Sequence, residues 1–477
     1  MPRFPLNIRR PQHAAREVRF VAIIAPFRGL LYSASRVPDL AQVIAPPGDA
    51  LSDPALASHR AVPASIVHLD HPEGDAPQRY ADAAGTLARW REDGTLEQDD
   101  RPSLYLAALR YTSRGMPEKT LRGLFARLRI EDASSPGVRA VEAAAEGLRR
   151  ERRELTLALR AGISPLVALF SDPGGEVAAD LGSPPRRPAD LWAADETGLD
   201  IQLWRTSDPA RMRRLAAGLA ARRLWILDGQ HLYEAARDVR DRMREEEGGA
   251  LPAGSRSYDH VLAFLAPMES PGLTLMPYHR VLKAARRFNA RSLAGGMASH
   301  LFDVKHFSFE GFDNRAEQIR RRLREAAARG RVAIALYAGG ADFSLYLLRT
   351  EDQASDPLSA LPEKLRGMDV AVLETALLPL VRSIAHTEDE PSAVRHTESA
   401  ERALAWVDAG EGSAALLINP PSREVLTGLA DEGLTMPPRS ACVLPRVPAG
   451  LVMDPLDPVA DVHEIPPDRP EPDGAES

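Results

Sequence analysis

Apolar and polar positions alternate along the chain in short blocks. Val21-Ala-Ile-Ile24 is an apolar run that stops at Pro26, the pattern of a buried strand. Val43-Ile44 runs into the stiff turn Ala45-Pro-Pro-Gly-Asp49. From Tyr80 to Trp90 the period changes: Tyr80, Ala83, Ala84, Leu87 and Trp90 share one helical face, and the helix should end at Glu92-Asp93-Gly94. Strands are expected again from Ser103 to Tyr111, Leu121 to Ile130 and Pro165 to Phe170, with a charged, solvated helix over 147–160. The stretch from Asp172 to Asp190 is rich in Pro, Gly and Asp and predicts a long loop.

The second half repeats this alternation. Residues 201–205 and 222–228 read as strands with a basic helix between them, and 230–246 reads as a helix with Leu232, Ala236, Val239 and Met243 on one face. After a loop from Gly248 to Ser257 come strands from Val261 to Pro267 and from Gly272 to Pro277. A helix of alternating charge covers 314–329, and the runs from Val332 to Tyr337 and Phe343 to Leu348 should form a hairpin around Gly339-Gly340. An apolar helix is expected from Val370 to Val381 and a strand from Ala414 to Ile418.

The pattern predicts a mixed α/β (α+β) protein. It lacks the regular βαβ rhythm of a doubly wound dehydrogenase, and no G-x-G-x-x-G follows a strand. The expected organisation is a polar arm (1–19), an N-terminal α/β region (20–190), a second α/β region (191–455) and a disordered, acidic, proline-rich tail (456–477).

Composition narrows the function classes. The chain has 477 residues and a net charge of −7, a poor balance for non-specific nucleic-acid binding. Its single cysteine, Cys442, excludes a disulfide framework and cysteine-rich zinc motifs, and flanking Val443-Leu444 suggests a core position. Only four of its 60 basic residues are lysines (Lys119, Lys283, Lys305, Lys364), and no G-x-x-x-x-G-K-[ST] is present. No G-x-S-x-G marks a serine-hydrolase elbow. No run reaches the roughly 18 apolar residues of a membrane span, and the start is too polar for a signal peptide, so a cytoplasmic location is expected.

Four clusters could carry chemistry. At Leu224-Trp-Ile-Leu-Asp-Gly-Gln-His231 a strand runs directly into a helix. Gly229 permits the tight turn, the helix opening offers free N–H groups to an anion, and Gln230 and His231 lie in the first turn. The plainer possibility is an ordinary turn with Asp228 as N-cap. At Pro277-Tyr-His-Arg280 a histidine beside an arginine suits a phosphate oxyanion, or is simply a surface pair. Asp49, in its proline-stiffened loop, could act as a base or hold a metal, or serve the turn alone. Arg439-Ser440 could contact an anion or belong to a loop.

Taken in order, these segments resemble the DUF1015 family, a ParB-like family of unknown function. Its pattern of A-P-F-R-G, A-P-P-Y-D, P-H-E, A-D-G-H-H-R-Y-E, P-T-H-R, N-P and M-P-Q-K-S-T is met here by Ala25-Pro-Phe-Arg-Gly29, Ala45-Pro-Pro-Gly-Asp49, Ala140-Val-Glu142, Leu227-Asp-Gly-Gln-His-Leu-Tyr-Glu234, Pro277-Tyr-His-Arg280, Asn419-Pro420 and Met436-Pro-Pro-Arg-Ser-Ala441. The resemblance spans about residues 20–455 and implies a ParB/sulfiredoxin-like core with an additional mixed α/β domain. It implies a site for ATP, ADP, CTP or pyrophosphate with Mg²⁺, and phosphotransfer to or from a small hydroxyl compound such as serine. Asp228, Gly229, Gln230, His231, Arg280, Arg439 and Ser440 would then bind phosphate, with His279, Glu142 and Asp49 in catalytic roles. Departures stand at Leu232, Gln230, Gly48, Val141, Arg439 and Ala441, where the family pattern has Arg, His, Tyr, His, Lys and Thr. A catalytically degenerate ligand-binding member is the alternative, and a ParB-type nucleic-acid-linked role a third. A sulfiredoxin-type reaction is excluded, because no cysteine neighbours the motif.

Overall fold

The computed structural model describes residues 22–48, 51–113, 116–132, 137–183, 187–195, 197–248, 251–283, 297–311, 314–349, 357–385 and 393–457, with 462, 464 and 465. The fold is mixed α/β and rests on two sheets. The large sheet runs in the order Val138–Ala140, Leu224–Asp228, Leu166–Phe170, His260–Pro267, Lys119–Arg129, Leu104–Tyr111, Asp200–Thr206, Leu191–Ala194, and Ile24–Ala25 pairs with Lys119–Arg129 at Leu128 and Arg127. Two of its pairings are parallel, Val138–Ala140 with Leu224–Asp228 and Leu166–Phe170 with His260–Pro267; the rest are antiparallel. The small sheet is antiparallel, in the order Phe302–Ser308, Asp342–Leu348, Ala333–Tyr337, Ala414–Leu417, His279–Leu282, Val394–Thr397.

Central strands of the large sheet are buried on both faces, which is why Leu224-Trp-Ile-Leu227 and Val261-Leu-Ala-Phe-Leu-Ala266 read as unbroken apolar runs. Alternate residues go to two cores. Leu166, Ala168, Phe170, Leu224, Ile226, Ala263 and Leu265 pack with Val177, Leu215 and Leu219, from the helices Glu176–Gly182 and Pro209–Ala220. Val167, Leu169, Trp225, Leu227, Phe264 and Ala266 join a core that continues through Leu282, Ile334, Leu336 and Leu416 of the small sheet to Val370, Leu373 and Leu377. The two sheets therefore share one core. On its other face the small sheet is covered by the helices Arg315–Ala327 and Ala400–Asp408.

Several expectations need correction. Residue 190 does not separate the sheets: Asp200–Thr206, Leu224–Asp228 and His260–Pro267 pair with strands that precede it. Asp172 to Asp190 is not all loop, since Glu176–Gly182 is a helix anchored by Val177 and Leu181. The apolar run from Val370 is not one regular helix but Asp369–Val372, a π-helical turn Leu373–Leu377, and Leu378–Ala385. In the helix Gln230–Glu247 the buried face is Gln230, Ala235, Val239 and Met243, a slight rotation from the predicted stripe. The charged helix Glu146–Leu159 is not merely solvated: Arg149 forks onto Asp238 with Nε and Nη2 at 2.8 and 2.7 Å, and Arg152 pairs with buried Asp70. The expected hairpin is present, with Gly339 and Gly340 at φ +91° and +90° between paired strands. Cys442 is buried in Ala441–Leu444. Among the described residues no helix is long and apolar enough to cross a membrane.

Candidate functional site

Parallel pairing brings two carboxylates to the same strand ends. Ile226 lies opposite Ala140, and the amide of Val141 donates to Ile226 O at 3.2 Å. Glu142 and Asp228, two residues further along each strand, emerge side by side. Crevices beyond the carboxyl ends of parallel strands are a recurrent place for ligands.

The two carboxylates have different surroundings. Glu142 is 7% exposed and accepts the backbone amides of Arg439, Ser440 and Ala441 at 2.8, 3.1 and 2.9 Å. Burial pushes its carboxyl up to about 8, against the pull of those amides and with a further push from the charge of Asp228. A backbone bridge to Met436 extends this contact: Met436 N donates to Val141 O at 2.9 Å and Ala143 N to Met436 O at 3.1 Å. The Met436–Ala441 segment is thereby laid against the sheet edge. Asp228 is half-buried and ion-paired with Arg446 at 3.3 Å, whose Nη1 donates to the Tyr278 hydroxyl at 3.0 Å.

Gly229 makes the turn. Its φ is +84°, and a Cβ there would stand 3.0 Å from Leu166 Cα, so both conformation and space require glycine. Gly229, not Asp228, is the N-cap of the helix Gln230–Glu247, and no side chain caps that end. The first amides of an 18-residue helix thus face the place where Asp228 emerges. Gln230 is buried and its Nε2 turns back to Leu227 O at 3.4 Å. His231 is half-buried in the first turn.

His279 and Arg280 separate. Neighbours on a strand point to opposite faces. His279 shares the helix-covered face with Val281, and its Nδ1 accepts the amide of Ile418 at 3.4 Å. Burial first, then the charges of Arg280 and Arg320, hold its ring at about 3, well below the usual range for histidine. It does not join Arg280 in one anion-binding pair. Arg280 turns to the other face with no exposed surface: Nε and Nη2 meet Glu374 Oε1 at 2.7 and 2.6 Å, and Nη1 donates to Tyr278 O and Arg439 O at 2.6 and 2.9 Å. Arg280 therefore holds the 439 loop from beneath, as Glu142 holds it from the side. Arg439 itself is exposed, in left-handed backbone at φ +58°, and Ser440 Oγ is spent on Pro437 O at 2.6 Å.

Asp49 lies outside the described residues. Its loop is followed as far as Gly48, where an added Cβ would meet His71 Cε1 at 2.2 Å. The imidazole fills the space in front of this glycine and pairs with Asp70 at 3.1 Å. Asp70 also accepts Ser164 Oγ at 2.9 Å and pairs with Arg152; it is buried, yet those partners hold it below the ordinary carboxylate range.

Sequence reasoning missed Arg446 and His396, which the fold brings to Asp228 and Arg439, and gave Tyr278, inside the Pro277–Arg280 cluster, no role of its own. Arg446 follows Leu444-Pro445 with no spacing signal, and only the Thr274–Pro277/Ala441–Leu444 ribbon reveals its neighbours. Among the described residues no three His, Cys, Asp or Glu side chains are grouped to hold a metal. A Mg²⁺ ion carried in on phosphates commonly needs only one or two carboxylates, and at this site Glu142 gives both its oxygens to backbone amides while Asp228 pairs with Arg446.

The molecule is thus a mixed α/β protein in which Asp228, Glu142 and the Arg439–Ala441 loop come together beyond the ends of two parallel strands. It belongs to the family described as "Protein of unknown function (DUF1015)", whose model matches residues 24–371. No curated protein matches. Among solved structures, a free serine kinase variant in complex with ADP is similar at 9% identity and TM-score 0.33, over 68% of this chain and 87% of that one. A conserved hypothetical protein from Pyrococcus furiosus is similar at 11% and 0.33, over 69% and 93%. SbnI with C-terminal truncation from Staphylococcus aureus is similar at 9% and 0.33, over 68% and 84%.

Proposed function

We propose that the protein binds a phosphate-bearing small molecule, a nucleotide such as ATP, ADP or CTP or a pyrophosphate, at the ends of strands Val138–Ala140 and Leu224–Asp228. One observation carries this reading. The Asp228–His231 turn with its uncapped helix, Glu142, and the Arg439–Ala441 loop meet at one place although they lie far apart in the chain. The helix amides suit phosphate oxygens, Gly229 lets backbone approach them, and exposed Arg439 adds a charge-assisted donor. Asp228 would hold Mg²⁺ if the ligand brings it, and the ion would screen the negative charge of Asp228 from the phosphate.

Binding is favoured over phosphotransfer by the state of the candidate catalytic groups. Glu142 spends its carboxylate on three backbone amides, and His279 faces the opposite side of its sheet. Phosphotransfer to serine or a similar hydroxyl compound would leave the base role to Asp49. A thermal-shift screen with ATP, ADP, CTP, pyrophosphate, serine and phosphoserine, each with Mg²⁺, tests the reading. A ligand at 100 times its dissociation constant stabilises by about 2.7 kcal/mol, a shift of several degrees. The shift should vanish in Asp228→Asn. Absence of any shift with every phosphate compound contradicts it, and release of a phosphorylated product would restore the enzyme reading.

A further inference from the structure

The strand Val394–Thr397 lies beyond the residues matched by the family and was given no role by the sequence. It pairs with His279–Leu282 in a register that sets His396 directly opposite Arg280. Cross-strand partners share a face of the sheet, so His396 stands on the Arg280 side, where Arg280 Nη1 holds the carbonyl of Arg439 at 2.9 Å. The Arg439 side chain turns back onto this histidine, with Nη1 2.9 Å from His396 Nδ1. A guanidinium can only donate. Nδ1 must therefore accept, and a neutral ring then carries its proton on Nε2. Burial, with the charges of Arg280 and Arg439, keeps the ring neutral at about 3, far below the usual range for histidine.

We propose that His396 is a further phosphate-contacting residue, a neutral Nε2–H donor fixed in that tautomer by Arg439 and set beside the Arg439 guanidinium. The proposal rests on the phosphate-site reading and deepens it. Among the described residues His396 makes no other hydrogen bond, so its second nitrogen is not committed to any of them. A neutral donor between two arginines suits an oxyanion better than a third cation would, because it adds a hydrogen bond without like-charge repulsion. It also assigns a purpose to the left-handed backbone of Arg439, which turns this side chain onto the His396 ring.

The test uses the full chain and pyrophosphate with Mg²⁺ in calorimetry, with nitrogen-15 NMR of the histidine rings. The unaltered protein should bind, and His396 should show an unprotonated Nδ1 and a protonated Nε2. His396→Leu should weaken binding roughly tenfold to a hundredfold, the effect of losing one hydrogen bond to a charged group. His396→Gln, whose amide can still donate, should recover most of that loss, and both variants should melt cooperatively. A protonated Nδ1, or His396→Leu binding as tightly as the unaltered protein, overturns the role of His396 alone. Failure of the unaltered protein to bind pyrophosphate or any nucleotide overturns the phosphate site and this proposal with it. A His396→Leu chain that does not fold leaves His396→Gln and the tautomer measurement to decide.

Discussion

The turn at Asp228–Gly229 and the strand His279–Leu282 carry similar signals in sequence, a histidine next to polar or basic residues at a strand terminus, and have opposite outcomes. At the turn, the chain leaves its strand through a left-handed glycine, so Asp228 and the first helix amides arrive at one place. At the strand, period-two alternation splits the pair: His279 goes under the helices and Arg280 under the Arg439 loop. A motif in a turn can gather adjacent residues, whereas a motif in a strand divides them between two faces.

The largest effect that would sharpen this contrast is at Arg280. Replacing it with Ala leaves Glu374 and two carbonyls without their donor, and should cost about 3–5 kcal/mol in denaturant unfolding, as expected for breaking a buried ion pair. A loss below about 1 kcal/mol would mean Arg280 does not hold the loop. Gly229→Ala comes next. Left-handed backbone costs a non-glycine residue about 1–2 kcal/mol, and contact with Leu166 adds to it, so a loss of about 2 kcal/mol or more is expected.

The third prediction concerns pH. The raised Glu142 carboxyl means the folded state holds a proton that the unfolded chain releases near 4.5. Its contribution is therefore fully present below about 4.5 and is lost as pH rises toward about 8. Asp369, raised to about 6 by burial, acts with the same sign but is exhausted sooner. His279 and His396, held neutral down to about 3, give the opposite slope, and only below about 6.5. From pH 6.5 to 8 Glu142 is left in control, so stability should fall by on the order of 1 kcal/mol there. Chemical denaturation of Glu142→Gln should show a flat profile over that interval; an unchanged slope would place the titrating group elsewhere. The smallest stability effect is at Arg439. It is exposed, so Arg439→Ala should shift stability by no more than about 0.5 kcal/mol while weakening ligand binding.

Much of the fold was legible where pattern alone decides. The continuous apolar strands, the hairpin at Gly339-Gly340 and the Gln230–Glu247 helix follow from local period and turn chemistry. The sheet order does not, because strands flanking residue 190 pair across a distance in sequence that no local signal encodes. The same holds for the site. Gly229 and Asp228 were readable because one turn holds both. Glu142 was quoted for its place in a motif, but its three amide donors lie almost 300 residues away and depend on the Met436 bridge. Arg446 and His396 carried no signal, since their partners are set by strand register.

The most direct test of a single phosphate site is amide hydrogen exchange with and without pyrophosphate and Mg²⁺. If the turn and the loop form one site, exchange should slow together at residues 229–233 and 439–441, with little change at 302–308 on the far edge of the small sheet. Bound pyrophosphate that protects neither segment, or only one of them, would contradict it.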